Sequence, residues 1–132
     1  MANYITVDPR RIYQVNGQVC RITTVVVQKV GTGTGTVVSG VSGKVIRVMG
    51  FLLTGNGDEL SVSFSSSGGT FLSGAIQLPP LLSYTNVFLP ITDSGYFETL
   101  TSEDLRITLT NASGINPGSI VSGTLFYLVL TP

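Results

Sequence analysis

The strongest constraint in this chain is a rhythm of short β-branched and aromatic runs, each closed by a cluster of turn residues. From residue 44 onward the runs are 44–54 (KVIRVMGFLLT), 59–65 (ELSVSFS), 70–77 (TFLSGAIQ), 86–91 (NVFLPI), 95–99 (GYFET), 104–110 (DLRITLT) and 120–131 (IVSGTLFYLVLT). Between them stand Gly55-Asn56-Gly57-Asp58, Ser66-Ser67-Gly68-Gly69, Pro79-Pro80, Asp93-Ser94-Gly95 and Asn116-Pro117-Gly118. Regular short strands with such punctuation predict an all-β fold, an antiparallel sandwich or barrel. No stretch sustains a helical period, although 101–106 (TSEDLR) has room for a single turn. Composition agrees. The 132 residues include 16 Gly, 16 Val, 16 Thr and 14 Ser but only 3 Ala and 3 Glu, an alphabet poor in strong helix formers.

Residues 1–36 are predicted to form an N-terminal extended arm and hinge, with the β-sandwich body over 37–132. The segment GTGTGT (31–36) marks the boundary, since alternate glycines leave nothing to fill a core. It lacks the Lys and spacing of a phosphate-binding loop, so it reads as an extended hinge. Within the arm, QVCRITTVVVQKV (18–30) is extended in character. Asp8-Pro9 is a turn signal, and Asn16-Gly17 is a hairpin candidate. An isolated hairpin is marginal in water, so the arm must dock on the body or on a partner.

Alternation separates two kinds of strand. Val62 and Phe64 oppose Ser61, Ser63 and Ser65, and Leu105, Ile107 and Leu109 oppose Arg106, Thr108 and Thr110. These strands have one apolar face. In 44–53, by contrast, Ile46, Val48, Gly50 and Leu52 oppose Val45, Arg47, Met49, Phe51 and Leu53. In 124–130, Phe126, Leu128 and Leu130 oppose Leu125, Tyr127 and Val129. Both faces are apolar, and a sandwich strand has one core face, so the second needs cover from the arm or from another subunit.

Charge is sparse, at 11% of residues and zero net, against about 25% in a typical domain. It is also uneven. Residues 1–47 carry Arg10, Arg11, Arg21, Lys29, Lys44 and Arg47 against Asp8, whereas 48–132 carry Arg106 against Asp58, Glu59, Asp93, Glu98, Glu103 and Asp104. The basic third is suited to an acidic surface on its own body, a neighbouring copy or another protein. Without aromatic interleaving it makes a poor nucleic-acid stripe, and the zero net charge gives no argument for nucleic acid or an anionic membrane.

Catalysis has little to work with. No His is present, which removes imidazole-based nucleophile activation and metal ligation, and the lone Cys20 makes no internal disulfide. Asp58-Glu59 and Glu103-Asp104 are adjacent pairs whose side chains diverge along a strand. The 55–59 loop lacks the twelve-residue calcium pattern. No metal or cofactor is expected. Tyr4, Tyr13, Tyr84, Tyr96 and Tyr127 are candidates for sugar stacking, with Tyr84 and Tyr96 best placed in loops, but the absence of Trp speaks against that role. Asn111-Ala112-Ser113 matches a glycosylation acceptor and reads as a turn. The start MANYITVDPRR has no signal-type apolar core, and the longest apolar run, LFYLVL (125–130), is of strand length. The expectation is a soluble chain made in a cytoplasm, with no membrane partner.

The order VSGKVIRVMGFLLT (41–54), SVSFSSSGGTFLSGAIQLP (61–79), VFLPITDSGYFETLTSEDLRITLTN (87–111) and VSGTLFYLVL (121–130) resembles the small β-sandwich of tailed-bacteriophage capsid decoration (cement) proteins and related fibre modules. The resemblance covers about residues 37–132. It implies a jelly-roll-like body that assembles, often as a trimer, on the outer surface of a capsid and reinforces the shell without turnover chemistry. Its partners would be copies of itself and the major capsid protein. Arg10, Arg11, Arg21 and Lys29 are then the expected capsid contacts, and Met49, Phe51, Leu53 and Tyr127 the expected oligomer interface. The rivals are a receptor- or glycan-binding fibre module presenting rings on loops such as 80–88, and a small hydrolase with convergent acids in a pocket.

Overall fold

Regular alternation of apolar and hydroxyl residues should leave one dry face per strand, and two such faces bury each other when sheets stack. The computed structural model, which describes residues 12–15, 18–57, 59–79, 87–92 and 94–132, shows this arrangement. Among the described residues there is no helix. The described residues form eleven strands in chain order: β1 (Ile12–Val15), β2 (Gln18–Arg21), β3 (Thr23–Val30), β4 (Gly33–Val38), β5 (Val45–Gly55), β6 (Leu60–Ser66), β7 (Ile76–Gln77), β8 (Val87–Leu89), β9 (Phe97–Glu98), β10 (Leu105–Asn111) and β11 (Ile120–Leu130). The helical turn allowed for in 101–106 is a non-helical turn at Thr101-Ser102 that leads into β10.

One sheet has the order β3-β11-β5-β8, with β9 also pairing β5, and the other has the order β4-β10-β6-β7. All these pairings are antiparallel. Across the two sheets the pairs β6–β7, β5–β8, β4–β10 and β3–β11 nest inside one another along the chain. That is the winding of a double-Greek-key jelly roll. The chain is therefore an all-β antiparallel sandwich, as expected.

The shared core comes from both sheets. Val27, Ile46, Val48, Phe51, Leu53, Val121 and Leu125 face Val62, Phe64, Leu105, Ile107 and Leu109. Phe64 is its pivot, with ring centroids 5.4 Å from Phe51 and 5.3 Å from Phe97. Burying such a ring contributes about 1.5–3 kcal/mol.

The predicted hinge is shorter than its sequence suggested. Only Gly31-Thr32 crosses between the sheets, and Gly33–Val38 is the edge strand β4, paired with β10. Main-chain hydrogen bonds need no side chain, so glycine alternation did not prevent a ladder. Thr34 and Thr108 add a cross-strand hydroxyl contact of 2.8 Å. Upstream, β3 is a full strand along β11, with Val27 in the core. Earlier still, β1 and β2 pair antiparallel, and Val15 opposite Gln18 brackets Asn16-Gly17. Asp8-Pro9 and Asn16-Gly17 themselves lie outside the described residues.

A bulge corrects the simple alternation in β5. Phe126 pairs with Gly50 and Tyr127 with Val48, which leaves Met49 as the extra residue. One inserted residue flips the pleat for everything beyond it. Ile46 and Val48 thus share the inter-sheet core with Phe51 and Leu53, while Val45 and Met49 face outward. Gly50 is required at this step. A Cβ there would lie 2.7 Å from the carbonyl oxygen of Leu89, so residues 89–91 can pass close across the strand.

Candidate interaction surfaces

The outer face of the five-stranded sheet has two halves. Over the first, Val45, Met49, Leu128 and Leu130 form a second apolar cluster with Cys20 and Ile22, and Ile91 and Phe126 pack against it. The arm thus covers the second apolar face of β5 and β11 within the same chain. Burial raises the Cys20 thiol above its ordinary pKa, partly opposed by the positive charges of Lys44 and Arg47.

Over the second half nothing among the described residues closes the sheet. Val26 pairs with Thr124, Thr124 with Leu52, and Leu52 with Phe88, one row across four strands. Val26 is 77% exposed and Phe88 59%, while Leu52 is half-buried. The row ends on β3, an eight-residue edge strand. Long β-branched edges of this kind invite further pairing. Strand alternation in TTVVVQKV places Val26 opposite in facing to Val25 and Val27, so this row had a sequence signal. Its exposure depended on where the arm's cover ends.

The residues expected at the oligomer interface fall elsewhere. Phe51 and Leu53 are fully buried in the inter-sheet core, Met49 is fully buried beneath Cys20 and Ile22, and half-buried Tyr127 packs on the inter-sheet core. Strict alternation grouped Met49 with Phe51 and Leu53, and the bulge separates them. The chain's own residues enclose the first three, which offer no surface to a second copy.

Of the expected capsid contacts, Arg10 and Arg11 lie outside the described residues. Arg21 is exposed at the end of β2. The Lys29 ammonium donates to the carbonyl oxygens of Val30 (3.2 Å) and Gly31 (3.0 Å), steadying the crossing between the sheets. The structure does not bring Arg21 and Lys29 into one cluster.

The described carboxylates are structural braces. Glu103 accepts from the Ser66 hydroxyl (3.0 Å) and the Gly68 amide (2.7 Å), and Asp104 accepts from the Gly40 amide at 2.6 Å. Glu59 accepts from the Ser113 hydroxyl at 2.7 Å, and Glu98 meets the Arg47 Nε at 3.0 Å. No group of three metal-ligating side chains occurs among the described residues. Tyr96 donates its hydroxyl to the Pro90 carbonyl at 2.6 Å. Tyr4, Tyr84, Asp58, Asp93 and most of the 80–88 loop lie outside the described residues.

The outer face of the four-stranded sheet has another character. Thr34, Ser65, Ser67 and Thr108 surround Arg106 in a shallow depression of about 350 Å³ rimmed by Phe71. Sequence alternation placed Arg106 and Thr108, and separately Ser65, on the polar faces of their strands, whereas Thr34 fell in the expected hinge and Ser67 in a turn cluster. It gave no sign that Phe71 would join them, because an isolated bridge to Ser65 brings it there.

No family model matches the chain, and no curated protein matches it in sequence. Among solved structures, it is similar to a chain of the cyanophage Pam1 capsid asymmetric unit. Identity there is 16%, the TM-score is 0.49, and the match covers 86% of this chain and 85% of that one. It is also similar to a chain of infectious bursal disease virus, Gx strain, at 12% identity and a TM-score of 0.38. That match covers 89% of this chain but 35% of the other.

Proposed function

We propose that this chain is a structural virion protein that binds the outer surface of a phage capsid and stabilises the shell through contacts between sandwich copies, without catalysis. The carrying observation is the uncovered half of the five-stranded sheet, where Val26, Leu52 and Phe88 form an apolar row ending at an open strand edge. Apolar rows of this kind on a small subunit serve as contact surfaces. The described carboxylates brace loops, which fits a protein without turnover. The resemblance of residues 37–132 to capsid decoration proteins supplies the partners, namely further copies, three in the usual assembly, and the major capsid protein.

Attachment to the shell is assigned to the basic arm, through Arg10, Arg11 and Arg21, with Lys29 anchoring the crossing behind them. The test is co-sedimentation of the full chain with empty capsids of the encoding virus. Arg10→Glu combined with Arg11→Glu should reduce the bound fraction at least tenfold, and undiminished binding would sink the arm's role. In a sizing experiment, Val26→Glu with Phe88→Glu should shift the oligomer to monomer. A wild-type chain that sediments as a monomer at all concentrations and never binds capsids would overturn the whole reading.

A further inference from the structure

Beyond the shell-binding role, and independent of it, the geometry points to a binding site for a carboxylate-bearing sugar on the outer face of the four-stranded sheet, centred on Arg106 and Phe71. Arg106 lies opposite Thr36 on one side and Ser65 on the other, and Ser65 is bridged in turn to Phe71. Directly opposed residues of an antiparallel ladder point to the same face. The four therefore make one row. At roughly 4.8 Å per strand step, the guanidinium-bearing and ring-bearing backbones stand about 10 Å apart.

Among the described residues no side chain accepts a hydrogen bond from the Arg106 Nε. That nitrogen is buried, and Glu59, Glu98, Glu103 and Asp104 are each engaged elsewhere. A buried guanidinium donor without an acceptor is costly, and a planar carboxylate matches its fork. Around it stand hydroxyls. Thr34 and Thr108 contact each other at 2.8 Å, and Ser67 Oγ accepts from the Asp104 amide, which leaves its O–H to donate outward. At the rim, Phe71 is 77% exposed, a ring available to pack against the apolar face of a pyranose.

A carboxylate, several hydroxyls and one apolar ring face describe a uronic or sialic acid. The depression, about 350 Å³, falls at the small end of ligand sites and suits one or two sugar rings. An acidic peptide fits less well. Arg106 and Ser65 lie on β10 and β6, which have neighbours on both sides, so a peptide over the guanidinium has no strand edge to pair with, and the one open edge at the depression is β4, at its Thr34 border. The site is distinct from the tyrosines weighed as sugar-stacking candidates, and Tyr96 turns its hydroxyl to the Pro90 carbonyl.

The test is saturation-transfer NMR and calorimetry on the full chain with sodium glucuronate, N-acetylneuraminate, glucose and a Glu-containing tetrapeptide. The acidic sugars should bind, more weakly as salt rises, and glucose at least tenfold more weakly than either. Arg106→Ala and Phe71→Ala should each weaken acidic-sugar binding at least tenfold and threefold, respectively. Arg106→Lys keeps the charge but loses the fork, and should fall between wild type and Arg106→Ala. It also stands in if Arg106→Ala fails to fold by circular dichroism. Acidic-sugar binding that survives the Arg106 substitutions, glucose binding as tight as glucuronate, or binding of the peptide alone would each overturn the assignment.

Discussion

The two outer faces of the sandwich solve the same problem in opposite ways. On the four-stranded sheet, Ser61, Ser63, Thr108 and Thr110 face outward, and water can satisfy that face. On the five-stranded sheet β5 and β11 are apolar outward as well, and the chain must bring its own cover. Cys20 and Ile22 close one half, while Val26, Leu52 and Phe88 leave the other half apolar. Away from the Arg106 depression, one sheet face is therefore finished by solvent, and the other is only partly finished by the described part of the chain. The unfinished part is the surface to which the proposed function assigns contact between copies.

Several substitutions break or sharpen this contrast. The largest effect should come from the core that both sheets share. Phe64→Ala removes the ring that touches Phe51 and Phe97 and should cost about 4 kcal/mol in urea unfolding. Met49→Ala tests whether the covered half is true interior. It should cost about 3 kcal/mol, and a loss under 1 kcal/mol would show that the arm merely rests there.

Cys20 reports on the same cover. Because burial raises its pKa in the folded state, the folded chain holds the proton longer than the unfolded chain does. Stability should be level at neutral pH and decline as pH rises above the ordinary thiol range. Labelling with a thiol reagent at pH 8 should be slow in the native chain and fast in urea. The smallest stability effect belongs to the uncovered half. Val26→Ser should change unfolding free energy by less than about 0.5 kcal/mol while weakening association in a sizing assay.

Legibility in the sequence followed the same divide. The one-sided strands β6 and β10 could be read residue by residue, because Ser and Thr alternate there with Val, Phe, Leu and Ile. The need for cover over β5 and β11 was equally plain. The bulge was hidden, since Met49 and Phe51 look alike to any rule of period two. It took the pairing with Phe126 and Tyr127 to set them on opposite faces. β4 is hard to read because the alternate glycines of GTGTGT leave one face of the strand without side chains, and its pairing with β10 is carried mainly by backbone, with Thr34 adding a contact to Thr108. The Arg106 depression was half visible. Arg106 and Thr108 shared one polar strand face and Ser65 lay on another, but Thr34 and Phe71 reached them through tertiary pairing alone.

The nested pairing order carries a kinetic consequence. β6 and β7 are near neighbours in the chain, whereas Val30 of β3 must find Ile120 of β11. Each successive pair closes a longer loop, and topologies dominated by such distant pairings fold over milliseconds to seconds. During that interval β11 lacks its outer partner and shows apolar side chains on both sides, the kind of segment that sticks to its like. High expression, which raises the concentration of chains still awaiting this pairing, should divert the chain into inclusion bodies even when its finished form is stable.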